Sequence, residues 1–121
     1  TQLDVRVVTY NVAESAPEEA YGELLGDGSA DILAVGLQEV DMSGEALMME
    51  ETDKSVLWLA ALQKQLGTVG QYATLGVVHL VGLLLVVFVK SEHQPHVRHV
   101  RQCIVRCGTA GMGNKGGVGL R

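Results

Sequence analysis

Two polar residues, Asn11 and Glu39, each follow a short apolar segment and are suited to share a hard cation. The ligand groups of an α/β sheet gather at the C-terminal ends of its strands. Carboxylate and amide oxygens suit magnesium, which is usually held by one or two carboxylates together with the phosphate of the substrate. The alternative is that Asn11 forms a turn and Glu39 is a helix cap or a solvated acid.

A second polar group lies in the glycine loop 108–117, which contains Asn114 and Lys115. Its backbone is free enough to direct several N–H groups at an anion, while the lysine adds a point charge and the asparagine adds hydrogen bonds. The loop is not a Walker phosphate loop, because the lysine is followed by Gly116 and not by Ser or Thr. The alternative is a tight hairpin turn between two strands.

Hydrophobic periodicity predicts the elements that must position these groups. A short helix is expected over 16–25 and one or two helices over 43–66, where apolar residues recur at helical spacing. The apolar stretch 75–89 is too short to span a membrane as a helix and is interpreted as core. Strands are expected over 3–10, 31–37, 81–89 and 97–105, with another beginning near residue 118.

The composition is that of one acidic globular domain. The chain has 121 residues, 47% of them hydrophobic, and 14 acidic against nine basic residues give a formal charge of -5. Binding of nucleic acid needs a basic face, so this charge argues against a nucleic-acid partner. Cys103 and Cys107 have no second pair to complete a zinc site or a disulfide framework. We therefore expect a reduced, intracellular chain in which both thiols are buried.

Two further groups are interpreted as structural. The residues His93, His96 and His99 are spaced three apart, but Pro95 between them disrupts a helix, so a polar connection is favoured over a metal site. Apolar residues 47–49 and Trp58 lie at helical spacing, which favours core over a partner-binding patch.

Five short segments together resemble the inositol polyphosphate 5-phosphatases, and the type II group most of all. Their order and spacing follow that family from about residue 5 to residue 121, so no single short match carries the resemblance. The segments are 9–12 (TYNV), 31–40 (DILAVGLQEV), 80–84 (LVGLL), 89–93 (VKSEH) and 113–118 (GNKGGV).

The resemblance implies an α/β fold of the DNase I-like (endonuclease/exonuclease/phosphatase) class. This fold is a sandwich of two mixed β-sheets flanked by helices, and residues 1–121 would form the N-terminal half of one such catalytic domain. By resemblance, Asn11 and Glu39 are catalytic residues at a Mg²⁺ ion and the scissile 5-phosphate, with Glu39 a metal ligand and Asn11 completing the site. Asn114 and Lys115 would contact inositol phosphate groups that are not cleaved.

The implied activity is hydrolysis of the 5-phosphate of phosphoinositides or soluble inositol polyphosphates. In such a reaction Mg²⁺ neutralises phosphate charge while a water molecule attacks in line. The resemblance also implies a cytoplasmic protein that is peripheral at membranes.

Several segments of the family have no counterpart in residues 1–121. They comprise a strand bearing a histidine and the motifs G-D-x-N, W-x-D-R-I and S-D-H-x-P, which supply the catalytic aspartate and both catalytic histidines. We therefore expect the 121-residue chain to be inactive alone, and to be unstable unless a partner covers its open strand edges and apolar faces. The glycine loop is also a residue shorter than its type II counterparts.

Two other functions stay open at this point. A Mg²⁺-dependent nuclease of the same superfamily would also place an Asn and a Glu at the metal, but the 113–118 segment and the acidic charge disfavour it. A non-catalytic truncated isoform acting as a binding module is the alternative from a different class.

Overall fold

Two β-sheets and one long helix dominate the computed structural model, which describes residues 2–18, 21–47, 51–111 and 115–121. No helix within these residues has both the length and the apolar character needed to cross a bilayer. The strands are β1 (Val5–Asn11), β2 (Ile32–Gln38), β3 (Tyr72–Leu80), β4 (Leu83–Lys90), β5 (Gln102–Arg106) and β6 (Gly116–Leu120). The α-helices are α1 (Gly22–Leu25) and α2 (Asp53–Gly67), and short 3₁₀ segments cover Gly44–Leu47, Ser91–His96 and Thr109–Gly111.

The larger sheet is mixed and has the strand order β1-β2-β4-β3. β1 and β2 are parallel, with Asn11 opposite Gln38, whereas β2 pairs with β4, and β4 with β3, in antiparallel fashion. Because β1 and β2 are parallel, their C-terminal ends lie at the same edge of the sheet. This edge is where the sequence predicts the cation site.

Helix α2 covers one face of this sheet and forms the core with it. Trp58, Leu62 and Leu66 are buried at intervals of four residues, which places them on one side of the helix. They pack against alternate residues of β2 and β4, including the fully buried Leu33 and Phe88. The helix begins with a capping box in which Thr52 and Ser55 bond each other's backbone N–H groups. The helix predicted in 43–66 is therefore confirmed.

The β3–β4 hairpin contains the strand predicted over 81–89, which is confirmed as β4. The first strand of the hairpin, β3, is not predicted by the sequence. The stretch 75–89 is almost entirely apolar, so few polar residues mark the turn within it. The turn falls at Val81–Gly82, and Gly82 has φ +74°, in the left-handed region that glycine adopts readily.

The second sheet consists of the antiparallel pair β5 and β6 and packs on the β3 side of the larger sheet. Leu120 lies directly over Gly76, where a Cβ atom would come within 2.6 Å of Leu120 Cδ1. Gln102 Nε2 donates a hydrogen bond to the Val77 carbonyl at 3.1 Å. On the same sheet face at β1, Val5 is 60% exposed and Val7 is 75% exposed. The β1 half of this face is thus open, while the β3 half is covered.

Two other predictions from the sequence are wrong. Cys103 and Cys107 are both exposed. Cys103 lies on β5 next to Gln102, which contacts β3, so its side chain is on the opposite face of the strand, and Cys107 lies just after the strand. The helix expected over 16–25 is shorter than predicted: α1 covers Gly22–Leu25, residues 16–18 are not helical, and residues 19 and 20 lie outside the described residues. Trp58 is core, as predicted, whereas Met48 and Met49 lie outside the described residues.

Candidate functional site

Asn11 and Glu39 lie at neighbouring strand ends. Asn11 is the last residue of β1, and Glu39 immediately follows Gln38, its partner on β2. The chain beyond β1 stays bonded to this edge, because Val12 N donates to the Gln38 carbonyl at 2.9 Å and Glu14 N donates to the Glu39 carbonyl at 2.8 Å. The structure therefore brings the two predicted residues together, and both are exposed.

The backbone at this edge is strained. Ala13, Glu14 and Glu39 have φ values of 49°, 58° and 56°, in the left-handed region that non-glycine residues rarely adopt. Each such residue costs roughly 1–2 kcal/mol. Strained residues of this kind cluster at functional sites, where the surrounding structure holds them. Three of the five non-glycine residues with positive φ in the described chain lie at this one edge.

The donor set at the edge fits a hard cation. The Asn11 side-chain oxygen accepts the Ala13 N–H at 3.0 Å, so the turn-forming role considered from the sequence is present. A carbonyl oxygen has two acceptor positions, so this bond leaves one of them. The Glu39 carboxylate makes no hydrogen bond or ion pair with any described residue. An amide oxygen beside an unpaired carboxylate is the oxygen chemistry that magnesium prefers.

The turn of the β3–β4 hairpin supports the segment that carries Glu39. Val40 N donates to the Gly82 carbonyl at 2.9 Å. The φ of Gly82, +74°, favours glycine, and a Cβ atom there would lie 2.8 Å from Met42 Sδ and 3.7 Å from Glu39 Cα, so the turn packs closely against this segment. The position of Glu39 thus depends on a hairpin that is distant in sequence.

Lys115 lies at the same end of the sandwich. Its carbonyl accepts the Cys107 N–H at 2.9 Å, which closes the β5–β6 hairpin, and its side chain is exposed. A Cβ atom on the next residue, Gly116, would come within 2.7 Å of Leu80 Cδ2. Leu80 ends β3 just before the turn that supports Glu39. Asn114, the other predicted loop residue, lies outside the described residues.

An ion pair links the strained edge to helix α2. Lys54 Nζ lies 3.0 Å from a Glu14 carboxylate oxygen, and both side chains are 44% exposed. The hydrogen bond with Glu14 raises the pKa of Lys54. At this exposure the pair contributes little to stability. The pair directs the Glu14 carboxylate toward α2, whereas the Glu39 carboxylate has no ion-pair partner among the residues that the structure describes.

Two residues of this region were not predicted as part of the site. Gln38 Nε2 donates to Thr9 Oγ1 and to the Gly36 carbonyl, both at 3.1 Å, so it ties β1 to β2 beside Asn11. Asp41 is buried, and hydrogen bonds from Ser43 lower the pKa of its carboxyl group. The spacing of Asp41 and Ser43 is a local turn signal that the sequence did contain.

A different cluster lies at the opposite end of β2, where Asp31, Glu92 and His93 have ligand atoms within 4.8 Å of one another. Asp31 already has partners: it accepts the Asp4 N–H at 2.8 Å and lies 2.8 Å from His93 Nε2. The first of these bonds, followed by that with His93, lowers the pKa of the Asp31 carboxyl group. The cluster therefore connects the start of β2 to the 3₁₀ segment Ser91–His96. His96 and His99 do not belong to it.

Comparisons with known proteins identify the family. Residues 8–121 match the family model described as endonuclease/exonuclease/phosphatase family 2. The chain belongs to the endonuclease/exonuclease/phosphatase family. Relatives that are 34–38% identical across most of the chain are inositol polyphosphate 5-phosphatases, which confirms the resemblance found in the sequence.

Several curated relatives match nearly the whole chain. The type II inositol 1,4,5-trisphosphate 5-phosphatase of Mus musculus is 38% identical over 95% of the chain. Type I inositol polyphosphate 5-phosphatase 13 of Arabidopsis thaliana is 34% identical over 99% of it. The chain spans 12% of the length of each of these relatives.

The same architecture occurs in a solved structure of a phosphatase domain. It is the inositol polyphosphate 5-phosphatase domain of SPsynaptojanin, in complex with inositol (1,4)-bisphosphate and a calcium ion. The match has a TM-score of 0.80 at 25% identity and covers 98% of this chain and 35% of that one. The DNase I-like fold class expected from the sequence is therefore confirmed.

Proposed function

We propose that residues 1–121 are part of a Mg²⁺-dependent phosphatase domain that removes the 5-phosphate from phosphoinositides or soluble inositol polyphosphates. The observation that carries the proposal is the convergence of Asn11 and Glu39 at adjacent strand ends, in a chain that belongs to this family. The related domain in complex with an inositol bisphosphate and a divalent cation supports the class of substrate and the need for a metal.

Glu39 and Asn11 would hold the Mg²⁺ ion through their side-chain oxygens. When bound, the ion supplies charge neutralisation at the phosphate and polarisation of the P–O bond. The strained backbone at Glu39 holds its carboxylate at the strand end, and the Val40–Gly82 hydrogen bond fixes the segment behind it. Pre-organisation of this kind avoids reorganisation during the reaction.

Lys115, with Asn114 in the same loop, would bind inositol phosphate groups that are not cleaved. Its exposed ammonium group lies at the Glu39 end of the sandwich and has no ion-pair partner among the described residues. A substrate that carries several phosphates would reach from the Asn11–Glu39 edge to Lys115. The proposal includes a cytoplasmic location, peripheral association with membranes, and no nucleic-acid partner.

The test is phosphate release from short-chain phosphatidylinositol 4,5-bisphosphate by a longer polypeptide that carries these residues together with the remaining segments of the family domain. Glu39→Gln should lower kcat by about 100-fold or more and weaken the binding of Mg²⁺, because it removes charge at the reacting centre. Lys115→Ala should raise KM by roughly 10-fold with little change in kcat, because it removes a remote contact.

Lys64→Ala is the control, because Lys64 is exposed on α2 and makes no ion pair with a described residue. It should change neither parameter. Equal effects of the first two variants on kcat and KM would contradict the assigned roles, as would activity that needs no divalent cation. The 121-residue chain alone should release no phosphate, and turnover by it would contradict the expectation that it lacks essential groups.

A further inference from the structure

The side-chain amide of Gln38 folds back along β2 instead of extending beyond the end of the strand. Its Nε2 donates one hydrogen bond to the Gly36 carbonyl, on the same strand, and another to Thr9 Oγ1 on β1, both at 3.1 Å. Thr9 and Gly36 are register partners, so the amide lies across one rung of the parallel pair. A side-chain amide nitrogen has two N–H donors, and both are used in these bonds.

The surroundings of this amide fix its orientation. The Gly36 carbonyl is an acceptor only, so it must face the nitrogen of the amide and not the oxygen. Gly36 also has no side chain, and a Cβ atom built on it would lie 3.8 Å from Gln38 Nε2. A larger side chain at this position would occupy the space that the amide fills. Gln38 is half-buried, which reduces the competition of water for its bonds.

Gln38 holds the chain on both sides of Asn11, its register partner on β1. The side chain of Gln38 bonds Thr9, two residues before Asn11. Its backbone carbonyl accepts the Val12 N–H at 2.9 Å, one residue after Asn11. The end of β1 therefore cannot separate from β2 without breaking a bond on each side of Asn11.

The same residue directly precedes Glu39, whose positive φ must be held from both sides. On the far side, Val40 N donates to the Gly82 carbonyl. On the near side, Gln38 is attached to β1 through its side chain and its backbone. Gln38 is thus opposite one candidate metal ligand and adjacent to the other. Its amide bonds the strands that carry Asn11 and Glu39, so it acts on their side chains through the backbone.

We propose that Gln38 is a positioning residue of the cation site, and that its amide sets the separation of the Asn11 side-chain oxygen and the Glu39 carboxylate. Mg²⁺ demands near-ideal octahedral geometry, so its affinity depends on how its ligands are spaced. Residues that orient metal ligands without touching the metal typically contribute about 10- to 100-fold to metal affinity. The proposal deepens the proposed function, on which it rests for the identity of the cation.

The test is calorimetric titration of Mg²⁺, without substrate, into the longer polypeptide used for phosphate release. Gln38→Met keeps the length of the side chain but has no donor, and it should weaken Mg²⁺ binding about 10-fold. Thr9→Val removes the hydroxyl that accepts the cross-strand bond and should give a loss of the same order, whereas Thr9→Ser keeps the hydroxyl and should preserve the affinity. The double variant Gln38→Met/Thr9→Val should lose no more than Gln38→Met, because both changes remove the same bond.

A second Gln–Thr hydrogen bond in the chain provides matched controls. Gln63 Nε2 donates to Thr74 Oγ1 at 3.1 Å, between α2 and β3. Thr74 lies near the start of β3, at the end of the hairpin opposite the turn that supports Glu39. Gln63→Met and Thr74→Val remove the same kind of bond away from the strand ends, so they should leave the Mg²⁺ affinity unchanged. The urea midpoints of Thr9→Val and Thr74→Val should fall by similar amounts.

Unchanged Mg²⁺ affinity in either Gln38→Met or Thr9→Val would overturn the proposal, as would equal losses in the control variants. A loss in Thr9→Ser as large as that in Thr9→Val would also overturn it. If Gln38→Met does not fold, the two Thr9 variants decide the question.

The positioning role and the proposed function fail separately in these measurements. Mg²⁺ binding that depends on Gln38, in a polypeptide that releases no phosphate, would contradict only the proposed function. Loss of Mg²⁺ affinity in Glu39→Gln but not in Gln38→Met would contradict only the positioning role.

Discussion

Glu39 has a strained backbone and a carboxylate that we propose binds metal. Substitutions at this position can separate the effect of the strain on stability from the effect of the carboxylate on metal binding. Its φ of 56° costs roughly 1–2 kcal/mol for a residue with a Cβ atom. A glycine at this position would remove that cost. It would also give the unfolded chain more conformational freedom, which destabilises the folded state by about 0.5–1 kcal/mol. The Glu39 side chain has no bonded partner among the described residues, so its removal loses no contact there. Glu39→Gly should therefore be more stable than Glu39→Ala by about 0.5–1 kcal/mol.

The measurement is urea unfolding followed by the fluorescence of Trp58, the single tryptophan, which is 2% exposed in the folded chain. Because the 121-residue chain is expected to have low stability alone, sucrose is added to the buffer; it raises the free energy of unfolding of every variant and so provides a folded baseline. Both variants lack the carboxylate, so both should lose Mg²⁺ affinity equally in calorimetric titration. At an ordinary exposed position alanine is the more stable of the two. If Glu39→Ala proved more stable than Glu39→Gly, the left-handed conformation and the reasoning from strain would both be refuted.

Two further predictions concern the sheet and its core. The pKa of Asp31 is lowered in the folded state, so its contribution to stability is present above its unfolded value of about 3.9 and is lost as the pH falls through the folded pKa. Urea midpoints measured from about pH 6 to about pH 3 should fall less steeply in Asp31→Asn than in the unsubstituted chain, and equal slopes would contradict this role of Asp31. Leu62→Ala should lower the free energy of unfolding by about 2–5 kcal/mol, because Leu62 is 1% exposed between α2 and the sheet. A loss below about 1 kcal/mol would mean that the helix does not pack as described.

The parts of the fold that the sequence predicts are those with a clear local period. The strand that ends at Asn11, the buried strand before Glu39 and helix α2 each have a pattern that only one element satisfies. The adjacency of Asn11 and Glu39 then follows from one rule, the shared edge of parallel strand ends. No local pattern separates β3 from β4, because both strands are apolar and the turn between them has a single glycine.

Exposure on the second sheet was not predictable from the sequence either. Alternation along 97–105 indicates a strand but does not say which side faces the larger sheet, so Cys103 was wrongly expected to be buried. The inward side is decided by contacts with β3, such as that of Gln102 with Val77.

The candidate site depends on segments that are far apart in the chain. Parallel pairing of β1 with β2 brings Asn11 to Glu39, and the Val40–Gly82 hydrogen bond attaches this edge to the β3–β4 turn. Close packing of Gly116 against Leu80 then brings Lys115 to the same end. Each step uses backbone bonds or a glycine without Cβ, which makes the arrangement sensitive to the backbone more than to any one side chain. A strained Glu39 is stable in such a setting because neighbouring strands and a turn hold the chain on both sides of it.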